Sequence, residues 1–291
     1  MPVDERLRVE LGGVPETLLW TLYHRAVEAR RDDAVLDDPL AVTLVDRLEY
    51  PFAERFGSGG GLGQWQALRV RCFDDEVRRF LVRHPDGQVV ALGEGLETQF
   101  WRVDNERVRW LSVELPEVAE LRERLLPASP RRRTLACSAL DERWMDEVDG
   151  SRGLLVTAQG LLMYFEPAAV HRFLTACARR LPGTALVFDA VPEWMRARSE
   201  RGGLQSGDGY QPPPWHWAMG PAEERRIVDL PGIAELRALR LPRGRGLLHG
   251  YVLPLAIRIP PLRRAWLTVF RARFGAAGPA RSAGVSTSRS T

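Results

Sequence analysis

The sequence predicts an α/β fold, a mostly parallel sheet covered by helices on both faces. One observation is the run of short, continuously apolar segments at 89–92, 108–113, 134–137, 153–158 and 184–190. A second is that helical patterns separate them, at 117–125, around 142–148 and at 167–180, with another starting after Gly95. Strands apolar on both sides and joined through helices belong to parallel sheets buried on both faces. A third is that chemically distinctive residues stand at the ends of four of these strands: the turn Gly93 to Gly95, Glu114, Ser138 and Gln159. The carboxyl ends of parallel strands are where such sheets hold ligands.

The elements follow in chain order. Thr17 to Arg31 places Leu18, Leu19, Leu22 and Val27 at near-helical spacing, and Asp38-Pro39 opens a second helix. The run Gly57 to Gly63 has the glycines of a phosphate loop but no closing Gly-Lys-Ser/Thr, and it reads as a mobile connector. Gln66 to Arg83 is helical, with Val70, Phe73, Val77, Phe80 and Leu81 on one side, and His84-Pro85-Asp86-Gly87 ends it. Residues 1–87 are therefore an N-terminal helical extension and 88–274 the sheet-bearing core. Within the core, 193–220 breaks the alternation. The stretch SGDGYQPPPWHWAMG suits a stiff aromatic lid over a pocket or, equally, a surface loop pinned into the core by two tryptophans, and the sheet is expected to resume between Ala238 and Ile257. The stretch 275–291, rich in Gly, Ala, Ser and Arg, has the composition of a disordered tail.

Composition narrows the function classes. With 291 residues, 45% of them hydrophobic, the chain can bury a substantial core. All 41 basic residues are arginine, yet the net charge is only +3. Arg30-Arg31, Arg131 to Arg133 and Arg225-Arg226 lie beside acids or turn residues, so no nucleic-acid partner is expected. Cys72, Cys137 and Cys177 show neither paired nor metal-ligand spacing, which predicts a reducing, cytoplasmic setting and no bound metal. The first residues mix acids and arginines without an apolar stretch, unlike a secretory signal. The apolar stretch Leu247 to Ile259 is interrupted by His249, Pro254 and Arg258, so no membrane partner is expected either.

The glycine turn carries the chemistry. Gly93 and Gly95 allow a tight turn and close approach of a ligand, whereas Thr98 stands where a dinucleotide fingerprint needs a third glycine. Glu114, 21 positions past Gly93, is placed to accept both hydroxyls of a ribose. Glu94 and Glu97 put carboxylates around a helix start that would otherwise attract an anion. That disfavours a pyrophosphate, hence an NAD-dependent oxidoreductase. It favours S-adenosyl-L-methionine, which has no phosphate and carries a sulfonium and an ammonium.

Six segments in order extend this reading: LYHRAVEARRDDAVLDDPLA (22–41), LRVRCFDDEVRRFL (68–81), VALGEGLETQFWRVD (90–104), VELPEV (113–118), SALDERWMDEV (138–148) and AQGLLMYF (158–165). Together they resemble the leucine carboxyl methyltransferase family of class I S-adenosylmethionine-dependent enzymes, in its bacterial polyketide O-methyltransferase branch. The resemblance implies a Rossmann-like fold with a seven-stranded sheet, and methyl transfer to a carboxylate or phenolic oxygen of a small molecule. It also implies roles: Arg69 on the methionyl carboxylate; Gly93, Glu94 and Gly95 as the cofactor turn; Glu114 with Leu115 at the ribose; Ser138, Ala139, Leu140 and Asp141 around adenine; Gln159 and Gly160 near the ammonium. Asp141 suits equally the N-cap of the helix that follows. Arg25 and Tyr23 fall near the methyl-donor end, on the acceptor side.

The family has Glu where this chain has Gln159, a loss of one charge that raises the alternative of a catalytically silent ligand-binding protein; Glu94 is a candidate to compensate. A carboxylate acceptor needs no base. For a hydroxyl acceptor His216, His24 and Tyr164 are the candidates, with His216 first because Trp215 and Trp217 beside it could stack on a planar substrate.

Overall fold

The computed structural model describes residues 6–9, 11–58, 60–203, 210–256 and 259–276. It begins with a two-residue strand, β1 (Leu7–Arg8), paired in parallel with β2 (Leu48–Glu49). Between them lie α1 (Thr17–Ala29) and α2 (Pro39–Arg47). Asp38 caps α2 by accepting from the Ala41 N–H at 3.1 Å, and Pro39 occupies the first turn, where an N–H would have no partner. After α3 (Phe52–Phe56) comes α4 (Gly60–Arg83). The helix therefore starts inside the glycine run expected to be a mobile connector. Gly63 shows one reason for small residues here, since a Cβ on it would lie 3.4 Å from the carbonyl oxygen of His24 on α1.

The main sheet is built from β3 (Gln88–Leu92), β4 (Arg109–Glu114), β5 (Arg132–Ala136), β6 (Leu154–Ala158), β7 (Ala185–Ala190), β8 (Ile233–Ala238) and β9 (Thr268–Phe274), in the order β5-β4-β3-β6-β7-β9-β8. All neighbours pair in parallel except β9, which runs antiparallel to β7 and β8. This is the mostly parallel, Rossmann-like sheet that the resemblance implies. The connecting helices are α5 (Gln99–Val103), α6 (Pro116–Leu125), α7 (Pro167–Arg180), α8 (Glu193–Glu200) and α9 (Pro221–Val228), with the short α10 (Leu253–Ala256) and α11 (Pro260–Arg263) before β9.

Strand alternation divides the core. Val90 and Leu92 join α7 residues Val170, Phe173 and Leu174 on one face, while Val89 and Ala91 join α4 residues Phe73, Val77 and Phe80 on the other. The chain leaves β3 toward one edge through β4 and β5 and returns beside β3 as β6, which opens a crevice at the carboxyl ends of β3 and β6.

Three expectations change in detail. The helix around 142–148 is a 3₁₀ helix, Glu142–Glu147, and α5 is only five residues long. The sheet resumes earlier than 238–257, at β8, and the stretch after it turns helical at Leu248–Val252. The apolar residues there recur at helical spacing, and periodicity prevails over the high β propensity of the stretch. The expected tail lies almost wholly outside the described residues.

Candidate functional site

The crevice is floored by the turn after β3. Gly93 and Gly95 have φ of 57° and 58°, the left-handed region that favours glycine. Neither has room for a side chain: a Cβ would stand 2.7 Å from Leu161 Cδ1 at Gly93 and 2.8 Å from Leu18 Cβ at Gly95. At the end of β4, Glu114 accepts from the Gly95 N–H at 2.6 Å, so its carboxylate faces the turn. Burial pushes the Glu114 carboxyl up to about 7, and the charge of Glu94 adds to the shift against Arg122 and the backbone N–H groups.

Two cavities meet over this turn. One, of about 240 Å³, is walled by Gly93, Gly95, Glu114, Leu115, Val118, Ser138, Ala139, Gly160 and Leu161. The other, of about 140 Å³, continues past Arg69, Glu97, Gln159 and Tyr164 to Trp20, Trp65, Met163, Met195, Trp215 and Leu267. Gly93, Gly95, Gly160 and Tyr164 belong to both walls. A larger cavity of about 540 Å³ lies at the opposite end of the strands, away from the glycine turn. Its basic residues include Arg83 and Arg180, at the C-termini of α4 and α7, where cations complement the helix dipoles.

The acids of the turn are not arranged as the sequence suggested. Glu94 points back into the sheet, where Arg122 of α6 meets it at 2.6 Å and the Trp110 indole and Ser112 hydroxyl donate to it. Arg122 also donates to the Gly95 carbonyl, clamping the turn from below. Glu94 is therefore committed and cannot compensate for Gln159. Glu97, not Glu94, is the acid beside Gln159: its carboxylate accepts from the Gln159 amide at 3.2 Å. Burial alone would raise the Glu97 carboxyl, but Arg102 and Arg25 hold it down at about 2. Arg25 and Arg102 also pair with Asp38, and Arg102 with Asp74. Three carboxylates thus face two guanidiniums beneath the second cavity, an excess of negative charge that suits a cationic ligand group.

The predicted residues fall into groups. Arg69 and Gly160 meet at Asp189, which sequence reasoning missed, while Gln159 turns to Glu97. At the end of β7, Asp189 pairs with Arg69 at 2.6 Å and accepts from the Gly160 N–H at 2.6 Å. A single acid inside an apolar strand gives no motif, so only the fold reveals it. Arg122 escaped for the same reason, being one arginine among several on α6.

Other predicted residues make contacts elsewhere, and Asp141 takes the N-cap role that the sequence also offered. Leu140 is exposed and outside both cavity walls, and Asp141 accepts from Arg143, whose backbone N–H it caps at 3.0 Å. Tyr23 stacks on Phe52 and donates to the Gly57 carbonyl, so it belongs to the extension's aromatic core. Trp217 is 1% exposed in the main core, its indole donating to Glu223 at 2.6 Å. His216, flanked by two inward tryptophans, turns outward to Glu166 at 3.4 Å. His24 is buried between Trp20 and Tyr23 and outside both walls. Tyr164 does line both cavities, but burial raises its phenol above the ordinary value, which suits a donor rather than a base. Arg25 reaches the second cavity with its nitrogens engaged by Asp38, Glu97 and the Leu96 carbonyl.

Known proteins are similar to this chain. The chain is 38% identical over 187 residues to the tetracenomycin polyketide synthesis O-methyltransferase TcmP of Streptomyces glaucescens, covering 64% of this chain and 69% of that protein. It is 28% identical over 172 residues to the S-adenosyl-L-methionine-dependent methyltransferase dpfgK of Gibberella zeae, covering 54% of this chain and 58% of that one. The solved O-methyltransferase family protein from Burkholderia thailandensis superposes with a TM-score of 0.45 at 15% identity, covering 91% of this chain and 71% of that chain. The leucine carboxyl methyltransferase family profile matches residues 19–178, more than half of the chain. With that match added to the sheet order and the glycine turn, the chain belongs to the leucine carboxyl methyltransferase family, and its cofactor is S-adenosyl-L-methionine.

Proposed function

We propose that the protein methylates an oxygen of an apolar, polyketide-like small molecule, and that this oxygen is a carboxylate or an acidic phenol. The observation that carries the proposal is the joined cavity over the glycine turn, polar at Glu114, Arg69 and Gln159 and aromatic at its far end. In this reading Glu114 takes the ribose hydroxyls, with Leu115, Ser138 and Ala139 beside the base. Arg69, oriented by Asp189, grips the amino-acid carboxylate, while Gln159 and Glu97 face the ammonium. Gly93, Gly95 and Gly160 admit the ligand against the backbone.

When bound, S-adenosyl-L-methionine supplies an electrophilic methyl group. The chain's own residues then orient the acceptor and exclude water. Trp20, Trp65, Met163, Met195, Trp215 and Leu267 form an apolar wall for its body. Among the described residues of that wall there is no histidine, Tyr164 is held protonated, and Glu97 is tied up by arginines. An acceptor that is already ionised suits such a wall best. Similarity to TcmP supports oxygen as the target and polyketides as the class. No helix among the described residues is long and apolar enough to cross a membrane, and we place the reaction in the cytoplasm.

The test pairs aromatic carboxylic acids with their matching phenols and detects methylated product by mass spectrometry. The expected result is methyl-ester formation whose rate, at saturating cofactor, is flat between about pH 7 and 9, with any phenol reaction rising over that range. Methylation confined to amines or to unactivated alcohols would contradict the proposal.

A further inference from the structure

Beyond Glu235 the chain contains no Asp or Glu and 11 Arg, although the whole protein carries only +3. The same region holds the main exposed apolar patch. Leu247, Leu248, Tyr251, Val252 and Leu255 are each more than two-fifths exposed, and their spacing puts them on one side of the helical run that buries Gly250 and Leu253. Ile259 and Leu262 extend the exposed set. Seven large apolar side chains facing water within 16 residues need an occupant.

Charge identifies its chemistry. A cavity of about 220 Å³ at the foot of the patch is walled by Arg240, Arg243, Tyr251 and Leu255, with no carboxylate in its lining. Arg243 lies over the Tyr251 ring, its Cζ 5.6 Å from the centroid, and Arg264 is exposed at the other end. Among the described residues Arg240, Arg243 and Arg264 form no ion pair, unlike most arginines of the molecule. An aliphatic stripe rimmed by unpaired arginines is the pattern of a segment lying in the plane of an anionic lipid surface.

We propose that residues 240–256 and 259–264 dock the protein on anionic phospholipid, with Leu247, Leu248, Tyr251, Val252 and Leu255 in the acyl boundary and Arg240 and Arg243 on a headgroup phosphate. Such docking needs no spanning segment. The inner side of the same segment abuts the acceptor end of the site. His249 meets Gln64 at 3.0 Å, and Trp65, which walls the second cavity, packs against both His249 and Trp266. An apolar acceptor held in the lipid would thus enter beside Trp65 and Leu267; this last step rests on the function proposed above.

The experiment is co-sedimentation of the full chain with vesicles of phosphatidylglycerol in phosphatidylcholine, against phosphatidylcholine alone. Binding to the anionic vesicles only, weakening as salt rises, is expected. The exposed pairs Leu247→Ser with Leu255→Ser, and Arg240→Glu with Arg243→Glu, should each lose at least about tenfold in vesicle affinity. Both should keep the parent's melting temperature and its calorimetric affinity for S-adenosylhomocysteine, which separates this inference from the cofactor site. Absence of vesicle binding overturns the proposal, as does binding that both pairs retain. So does a protein inert to vesicles that captures polyglutamate through Arg240, or one that forms a dimer dissolved by the leucine pair.

Discussion

At the residue scale, Glu114 and Gln159 set how the donor site responds to charge. Glu114 is an acid whose folded value, about 7, lies above its ordinary 4.5. Its protonated form is favoured by folding, so the unliganded protein loses stability as pH rises from about 4.5 through 7. Cofactor affinity moves the other way, because ribose hydroxyls donate best to the ionised carboxylate. Calorimetry with S-adenosylhomocysteine should show affinity increasing up to about pH 7 and then levelling, and Glu114→Gln should flatten the profile; an unchanged profile would remove Glu114 from the ribose. Gln159 lies against Glu97 at 3.2 Å, so Gln159→Glu brings two carboxylates together. Without ligand that variant should melt earlier, and with a cationic ligand between the two acids it should bind about tenfold tighter. Looser binding would show that the ammonium sits elsewhere. Glu97 already places a carboxylate beside Gln159, so on the proposed function the ammonium keeps an acidic partner despite the missing Glu.

At the element scale, the turn between β3 and α5 works because other elements hold it. Arg122 of α6 clamps the Gly95 carbonyl and neutralises Glu94, and Leu18 of α1 fills the space beside Gly95. Gly95→Ala puts a methyl 2.8 Å from Leu18 Cβ at a positive φ, which should cost about 1–3 kcal/mol of stability in a denaturant melt and weaken cofactor binding with it. Stability equal to the parent would show that α1 is free to move aside. The glycines and the acid after β4 were legible in the sequence because each is a local pattern read along one strand and one turn. Asp189, Arg122 and the Glu97 to Arg25 pair were not, because they meet only after β7, α6 and the helical extension pack together. His216 and Trp217 lie outside both cavity walls for a related reason. Alternation along an extended segment turned one out to Glu166 and the other into the core, a choice that the surrounding packing makes.

At the scale of the whole molecule, the sheet was readable because buried parallel strands are apolar on both faces and stop at polar residues. The strand order follows from handed crossovers between them. What the pattern could not separate was an apolar helical stripe from a strand, and the stretch between β8 and β9 is the place where that mattered. The extension wraps the open side of the crevice, so α1 and α4 contribute to the same site as β3 and β4, through Leu18, Trp20, Trp65 and Arg69. The central claim is that the two cavities joined over Gly93 and Gly95 form one donor site with Glu114 at one end and Arg69 at the other. The most direct measurement is calorimetric titration of S-adenosylhomocysteine into the parent, Glu114→Ala and Arg69→Ala proteins, with NAD as the control ligand. Binding to the parent, a loss of at least about tenfold in each variant and no NAD binding are predicted; parent-like affinity in either variant, or binding of NAD, would contradict the account.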